Sequence, residues 1–149
     1  MQGAIDTVTP NYRSVALGEG SDALKVLCVS RLVPQKRIDH GIHAFSKVLE
    51  KIPKAKLYIG GRGPEESRLK KLVNDLNISK SVIFLGFISD DELLDYYSSV
   101  DIFLSLDWAD FNLTVYESIS AGTKVIVSEE GDFDAVLIES GYITKVNPK

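Results

Sequence analysis

Short apolar runs alternate with amphipathic stretches along most of this chain, and this alternation constrains its fold more than any other feature. The runs at 25–30 and 56–60 predict strands, and the run at 125–127 has the composition of a strand that is covered on both faces. Between 38 and 49, apolar residues recur three or four positions apart, which is the period of a helix packed on one side. We therefore expect an α/β fold, with a doubly wound, mostly parallel sheet of about six strands and helices on both faces.

The predicted elements begin near residue 23. Residues 1–22 are polar and contain Pro10 and the run GEGSD, so we expect a weakly structured lead-in, followed by one domain over 23–149. We expect this domain to be truncated at its carboxyl end, because no helix follows the last predicted strand. The predicted strands lie at 25–30, 56–60, 82–85, 102–104, 125–127 and 142–146, and the predicted helices at 38–51, 65–76, 90–98 and 131–140, with one more that ends at Gly122.

Composition narrows the class of protein. A net charge of −4 argues against nucleic-acid binding, which favours a strongly basic face. The single cysteine, Cys28, lies in an apolar run and is expected to be a buried filler in a reducing compartment.

No apolar run approaches a membrane span and the start lacks a signal-peptide pattern, so we expect a cytoplasmic protein. Lysines at 47, 51, 54, 56, 70 and 71 form a mildly basic edge, for which a solvated face is the favoured interpretation and peripheral membrane contact the minor alternative.

The stretch from 105 to 128 is the best candidate for a binding site. It predicts a strand end, a polar loop, a short helix and a second buried strand. Open α/β sheets bind phosphorylated ligands where such a loop meets a helix N-terminus. The loop carries Asp107, Asp110 and Asn112, and the helix carries Glu117. Glu117 has two interpretations: it completes a capping box with Thr114, or it lies one turn inside a helix capped by Asn112 and faces the cleft.

Two further loops follow predicted strands. Arg31 and Lys36, after the first strand, are well placed to hold a diphosphate, although loop cations are often merely solvated. No GxGxxG occurs at this first turn, which weakens a dinucleotide interpretation. The run GGRG after the second strand, which includes Gly61, either lets the backbone approach a ligand or forms a tight turn.

Other reactive patterns are weak. His40 and His43 share a helical face but lack a third ligand nearby in the sequence, so we expect no metal site. No nucleophile–base constellation and no GxSxG occur. Any chemistry would therefore have to be electrostatic assistance to a leaving group.

Four segments together resemble a known family. VSRLVPQKRIDHGIHAF, LYIGGRGPEESRLKKL, VIFLGFIS and DFNLTVYESISAGTKVIVS occur in the order and spacing of the family 4 (group 1) glycosyltransferases. The match covers about residues 24 to 146 and is to their carboxy-terminal, donor-binding domain, the Rossmann-like half of the GT-B fold. The resemblance implies a retaining transfer of a hexose from a UDP- or GDP-sugar to a glycan or lipid-linked acceptor, with no cofactor and no metal.

The resemblance also implies roles for individual residues. Arg31 and Lys36 match the basic pair that grips the diphosphate and assists its departure. Phe87 and Ile88 match the segment that packs and hydrogen-bonds the base, and Glu117 matches the glutamate that holds the ribose hydroxyls. The residues matching the loop whose backbone faces the distal phosphate and sugar are Phe111, Asn112, Leu113 and Thr114, with Asp110 beside them.

Two departures separate this chain from the family pattern. Ala109 stands where the first glutamate of the E-x7-E motif is expected, and Asn112 replaces a glycine. The acceptor site is implied to lie in an amino-terminal domain of the same enzyme, so the isolated chain is expected to be inactive. The alternative is a non-catalytic, Rossmann-like scaffolding module with a degenerate donor site, which Ala109 favours and the retained Arg31, Lys36 and Glu117 oppose.

Overall fold

In this computed structural model, residues 23–106, 113–128, 141 and 143–146 are described, without the side chains of 113–116 and 143. The described residues form a single sheet of parallel strands in the order β3-β2-β1-β4-β5-β6. The strands are β1 Lys25–Val29, β2 Lys56–Gly60, β3 Val82–Gly86, β4 Ile102–Ser105, β5 Lys124–Ser128 and β6 Ile143–Val146. The helices are α1 Ile38–Lys51, α2 Glu66–Asp75, α3 Asp90–Ser99 and α4 Leu113–Ser120, preceded by a 3-10 turn at Pro34–Lys36.

The predicted doubly wound sheet is confirmed. Two separate buried clusters cover the sheet, because successive side chains of a strand point to opposite faces. On β1, Val26 and Cys28 pack with α1 and α2, whereas Leu27 packs with Tyr97 of α3 and Phe103 of β4. Cys28 is buried, as expected. Helices thus lie on both faces, which is the arrangement that parallel strands require.

The predicted elements that fall on described residues agree with the structure to within about one residue at each end. Helix α1 occupies the predicted range, and α4 is followed by Gly122, whose φ of +87° is the left-handed conformation expected after a helix. Pro64 differs slightly from its predicted first-turn position, since it precedes the N-cap residue Glu65. The predicted lead-in at 1–22 and the predicted helix at 131–140 lie outside the described residues.

The strand order determines where a ligand can bind. From β1 the chain moves outward through β2 and β3, and then crosses back to β4 on the other side of β1. The strand order thus reverses between the paired strands β1 and β4. In open α/β sheets a crevice for ligands usually forms outside the carboxyl ends of the strands at such a point. We found no helix long and apolar enough to span a membrane in the described part of the chain.

Candidate functional site

Three loops at the carboxyl edge of the sheet are hydrogen-bonded to one another beyond the strands that they follow. The Ser30 amide donates to the Gly60 carbonyl (3.2 Å), and the Leu32 amide donates to the Arg62 carbonyl (2.9 Å). Towards β3, the Gly61 amide donates to the Gly86 carbonyl (2.7 Å). These bonds extend the ladder of the sheet into the loops, so the loops form a connected platform beside the crevice.

Glycines make this close approach possible. Gly61 has a φ of +115°, and a Cβ built on it would lie 1.8 Å from the Ser30 carbonyl oxygen. A Cβ on Gly63 would lie 2.5 Å from the carbonyl oxygen of Leu32. The GGRG run is therefore needed for packing against the neighbouring loop. A contact between Gly61 and a ligand stays a prediction.

The structure places both candidate cations in the loop between β1 and α1. Arg31 is exposed and follows Ser30, the first residue after β1, and Lys36 is half-buried at the end of the 3-10 turn. The turn is closed by the Lys36 amide, which donates to Val33 (3.1 Å), and by the Arg37 amide, which donates to Pro34 (3.1 Å). These bonds hold the backbone from which the Lys36 side chain extends.

Phe87 and Ile88 follow β3 at the same edge but have different environments. The Phe87 side chain is 71% exposed, which is unusual for a large apolar residue. Ile88 packs over Gly60, where an added Cβ would lie 2.4 Å from its Cδ1 atom. Phe87 is therefore free to contact a planar ligand, whereas Ile88 fills space between the loops.

Glu117 lies one turn inside α4, because the helix begins at Leu113. The capping-box interpretation is therefore wrong: Thr114 lies inside the helix rather than at its N-cap. Asn112, the other candidate cap, lies outside the described residues. The half-buried Glu117 carboxyl has a raised pKa, first because burial desolvates it and second because the Asp90 carboxylate lies nearby.

The sequence did not show that Asp90 and Tyr97 lie close enough to Glu117 to influence its charge or be influenced by it. Asp90 begins α3, and Tyr97 of the same helix is completely buried. Burial, followed by the charges of Glu117 and Asp90, raises the pKa of the Tyr97 hydroxyl. Among the described residues this hydroxyl has no hydrogen-bond partner. The sequence signals for this group were Glu117 itself and the predicted helix at 90–98, which contains Asp90 and Tyr97.

For most of the remaining candidate residues, the structure does not describe the side chain. The side chains of Leu113 and Thr114 are not described, and Asp107, Ala109, Asp110 and Phe111 lie outside the described residues. His40 and His43 line an apolar cavity of about 570 Å³ between α1 and the sheet. Within the described ranges, no group of three or more His, Cys, Asp or Glu residues could hold a metal ion.

The sequence model described as "Glycosyl transferases group 1" matches residues 13–148, almost the whole chain. This chain belongs to the group 1 glycosyltransferases. It is 36% identical over 122 residues to an uncharacterized glycosyltransferase of Methanocaldococcus jannaschii. This alignment covers 81% of this chain and 31% of that protein. It is 38% identical over 102 residues to an alpha-monoglucosyldiacylglycerol synthase of Streptococcus pneumoniae, covering 68% of this chain and 23% of that one. The chain thus spans no more than about a third of either relative.

Solved structures agree with the fold. A sucrose-phosphate synthase from Thermosynechococcus elongatus aligns with 93% of this chain and 36% of its own, at a TM-score of 0.82 and 26% identity. Anabaena HepE, in complex with UDP and glucose, aligns with 97% of this chain and 41% of its own, at a TM-score of 0.77 and 20% identity. The sheet is therefore the Rossmann-like α/β fold of GT-B glycosyltransferases.

Proposed function

We propose that this chain is the donor-binding half of a retaining glycosyltransferase, and that its crevice holds the nucleoside diphosphate of a UDP- or GDP-sugar. The observation that carries the proposal is the pair Arg31 and Lys36 at the carboxyl end of the central strand of a group 1 glycosyltransferase. Relatives support this class of ligand. HepE was solved with UDP and glucose, and a mycobacterial relative is named as a GDP-mannose-dependent mannosyltransferase.

In this proposal, Arg31 and Lys36 act on the leaving group. As the bond between the hexose carbon and the diphosphate oxygen breaks, negative charge develops on the diphosphate. Two cations placed beforehand at this position stabilise that charge more than they stabilise the ground state, and this lowers the barrier. Lys36 is the more constrained of the two, because the 3-10 turn holds its backbone.

The nucleoside is proposed to lie between two features of the same edge. The exposed Phe87 ring offers an apolar face to the base. The Glu117 carboxylate would accept hydrogen bonds from the ribose hydroxyls, which are stronger to a charged acceptor than to a neutral one. The acceptor and the remaining part of the cleft are assigned to an amino-terminal domain, so the chain alone is expected to bind donor without transferring sugar.

We expect UDP or GDP, and the corresponding sugar conjugates, to raise the melting temperature of the 149-residue chain. A ligand that binds only the folded state at about 100 times its Kd stabilises it by about 2.7 kcal/mol. The measurement is a thermal-shift panel that includes inorganic pyrophosphate as a control for the charge alone. A chain that responds to none of the nucleotides would contradict donor binding, and one that transfers sugar to an added acceptor would contradict the division of labour between domains.

Glu117→Gln should separate a ribose-binding role from a structural one. The glutamine keeps the size of the side chain but loses the charge, so we expect affinity for UDP or GDP to fall about five- to tenfold. Titration calorimetry measures this. Normal binding by the glutamine variant, together with a loss of stability, would instead make Glu117 a structural residue.

The pH dependence of stability gives an independent check on the same variant. Because the folded pKa of Glu117 is raised, the folded chain holds this proton more tightly than the unfolded chain does. The protonated Glu117 side chain therefore contributes favourably to the free energy of unfolding at acid pH, and this contribution is lost as pH rises through the raised pKa. We expect Glu117→Gln to melt higher than the parent at about pH 8 and nearly the same at about pH 4. Equal differences at both pH values would mean that Glu117 has an ordinary pKa.

A further inference from the structure

Arg37 occupies a backbone conformation that its side chain does not favour. Its φ of +53° and ψ of +37° lie in the left-handed region, where an L side chain approaches the backbone and glycine is preferred. Its amide donates to the Pro34 carbonyl (3.1 Å), and its carbonyl accepts from the Gly41 amide (3.3 Å). Arg37 is thus both the end of the 3-10 turn and the start of α1, and the chain changes direction at this residue.

The Arg37 side chain joins the two sides of the crevice. Its Nη1 donates to the carbonyl oxygen of Leu106 at 3.4 Å, and Leu106 is the buried residue directly after β4. Arg37 itself is half-buried. Arg37 belongs to the connection that follows β1, and Leu106 follows β4, so this bond links the segments that leave the two strands between which the sheet order reverses.

We propose that Arg37 is a positioning residue for donor binding, an inference that rests on the proposed function above. The tether to Leu106 holds the start of α1 against the end of β4, and with it the turn that carries Lys36. Strained backbone conformations persist where their surroundings hold them, and they are concentrated at binding sites. Arg37 accordingly acts through Lys36, by holding the ammonium where the diphosphate lies.

The test uses glycine at both described positions where a residue other than glycine has a left-handed backbone. Arg37→Gly removes the tether and relieves the strain. Asn77→Gly makes the same kind of backbone change at φ +58° near the opposite edge of the sheet, at a residue that tolerates this conformation better than arginine does, and is the control. For Arg37→Gly we expect five- to tenfold weaker binding of UDP or GDP by calorimetry, with a melting temperature equal to or above that of the parent. Asn77→Gly should leave the affinities for UDP and for GDP unchanged.

A double-mutant cycle decides how Arg37 acts. In a Lys36→Ala background, Arg37→Gly should weaken binding less than twofold, because the ammonium that it positions is already gone. An effect that persists in full in that background would mean that Arg37 contacts the diphosphate itself, and would overturn the inference. So would an Arg37→Gly variant that binds as tightly as Asn77→Gly.

Two further outcomes are distinguishable. A parent chain that binds neither UDP nor GDP would overturn the proposed function and this inference together, whereas a binding parent isolates the inference. If Arg37→Gly fails to fold, Arg37→Asn replaces it, because asparagine tolerates the left-handed region and is too short to reach Leu106. The same five- to tenfold loss is then expected, and unchanged affinity would again overturn the inference.

Discussion

Replacing Arg31 and Lys36 together with alanine is expected to weaken binding of UDP or GDP by about two orders of magnitude or more. A hydrogen bond to a charged group contributes about 1.5–3 kcal/mol, so each single change should cost about one to two orders of magnitude in affinity. The two cations share one ligand, and their effects need not add. Titration calorimetry of the two single variants and the double variant measures the sum and the coupling.

Lys71→Ala is the matched control for this experiment. Lys71 is an exposed cation on α2 that pairs with Asp75 at 2.7 Å, away from the carboxyl edge of the sheet. An exposed pair of this kind contributes little to stability, and its loss should leave nucleotide affinity unchanged. If the double variant binds as tightly as Lys71→Ala, then the loop cations are merely solvated and the proposed diphosphate site is wrong.

Elements with a strong local signal could be predicted from the sequence. Helix α1 was placed correctly because Ile38, Ile42 and Phe45 recur at helical spacing and all three are buried. Gly122 was placed correctly because a helix end favours the one residue without a Cβ. In both cases the deciding interactions lie within a few residues of each other along the chain.

Features that depend on distant contacts could not be predicted in this way. Alternation predicts parallel strands, but it does not say that β4 pairs with β1 rather than with β3. The side-chain contact of Arg37 has no sequence signal, because the Leu106 carbonyl that it reaches lies 69 positions away. The group formed by Asp90, Tyr97 and Glu117 arises where two helices meet, and only the last of these was a candidate.

The GGRG run lies between these two cases. The sequence indicated a tight turn or a close backbone approach, and Gly61 combines both: a positive φ and a neighbour too close for any side chain. That neighbour is Ser30, which belongs to the loop that also carries Arg31. The stability of the fold and the position of the proposed diphosphate site therefore depend on the same contact.

Gly61→Ala is accordingly expected to be strongly destabilising, by about 3–5 kcal/mol. A residue with a Cβ loses about 1–2 kcal/mol of stability in the left-handed conformation. The new Cβ would lie 1.8 Å from the Ser30 carbonyl oxygen, which is backbone and cannot rotate away. The loops must separate and weaken hydrogen bonds such as those from Ser30 to Gly60 and from Leu32 to Arg62, each contributing about 0.5–1.5 kcal/mol. Urea denaturation of the chain measures the change in unfolding free energy.

Gly122→Ala isolates the contribution of the close approach. Gly122 also has a positive φ, of +87°, but an added Cβ would meet no atom within 4 Å. This control should therefore lose only the conformational part, about 1–2 kcal/mol, and should keep the affinity of the parent for UDP or GDP. For Gly61→Ala, whatever fraction stays folded should bind nucleotide more weakly, because displacement of Ser30 moves Arg31. If Gly61→Ala and Gly122→Ala are equally destabilising, then the loops move apart without a loss of stability. In that case the spacing between these loops does not determine where Arg31 lies.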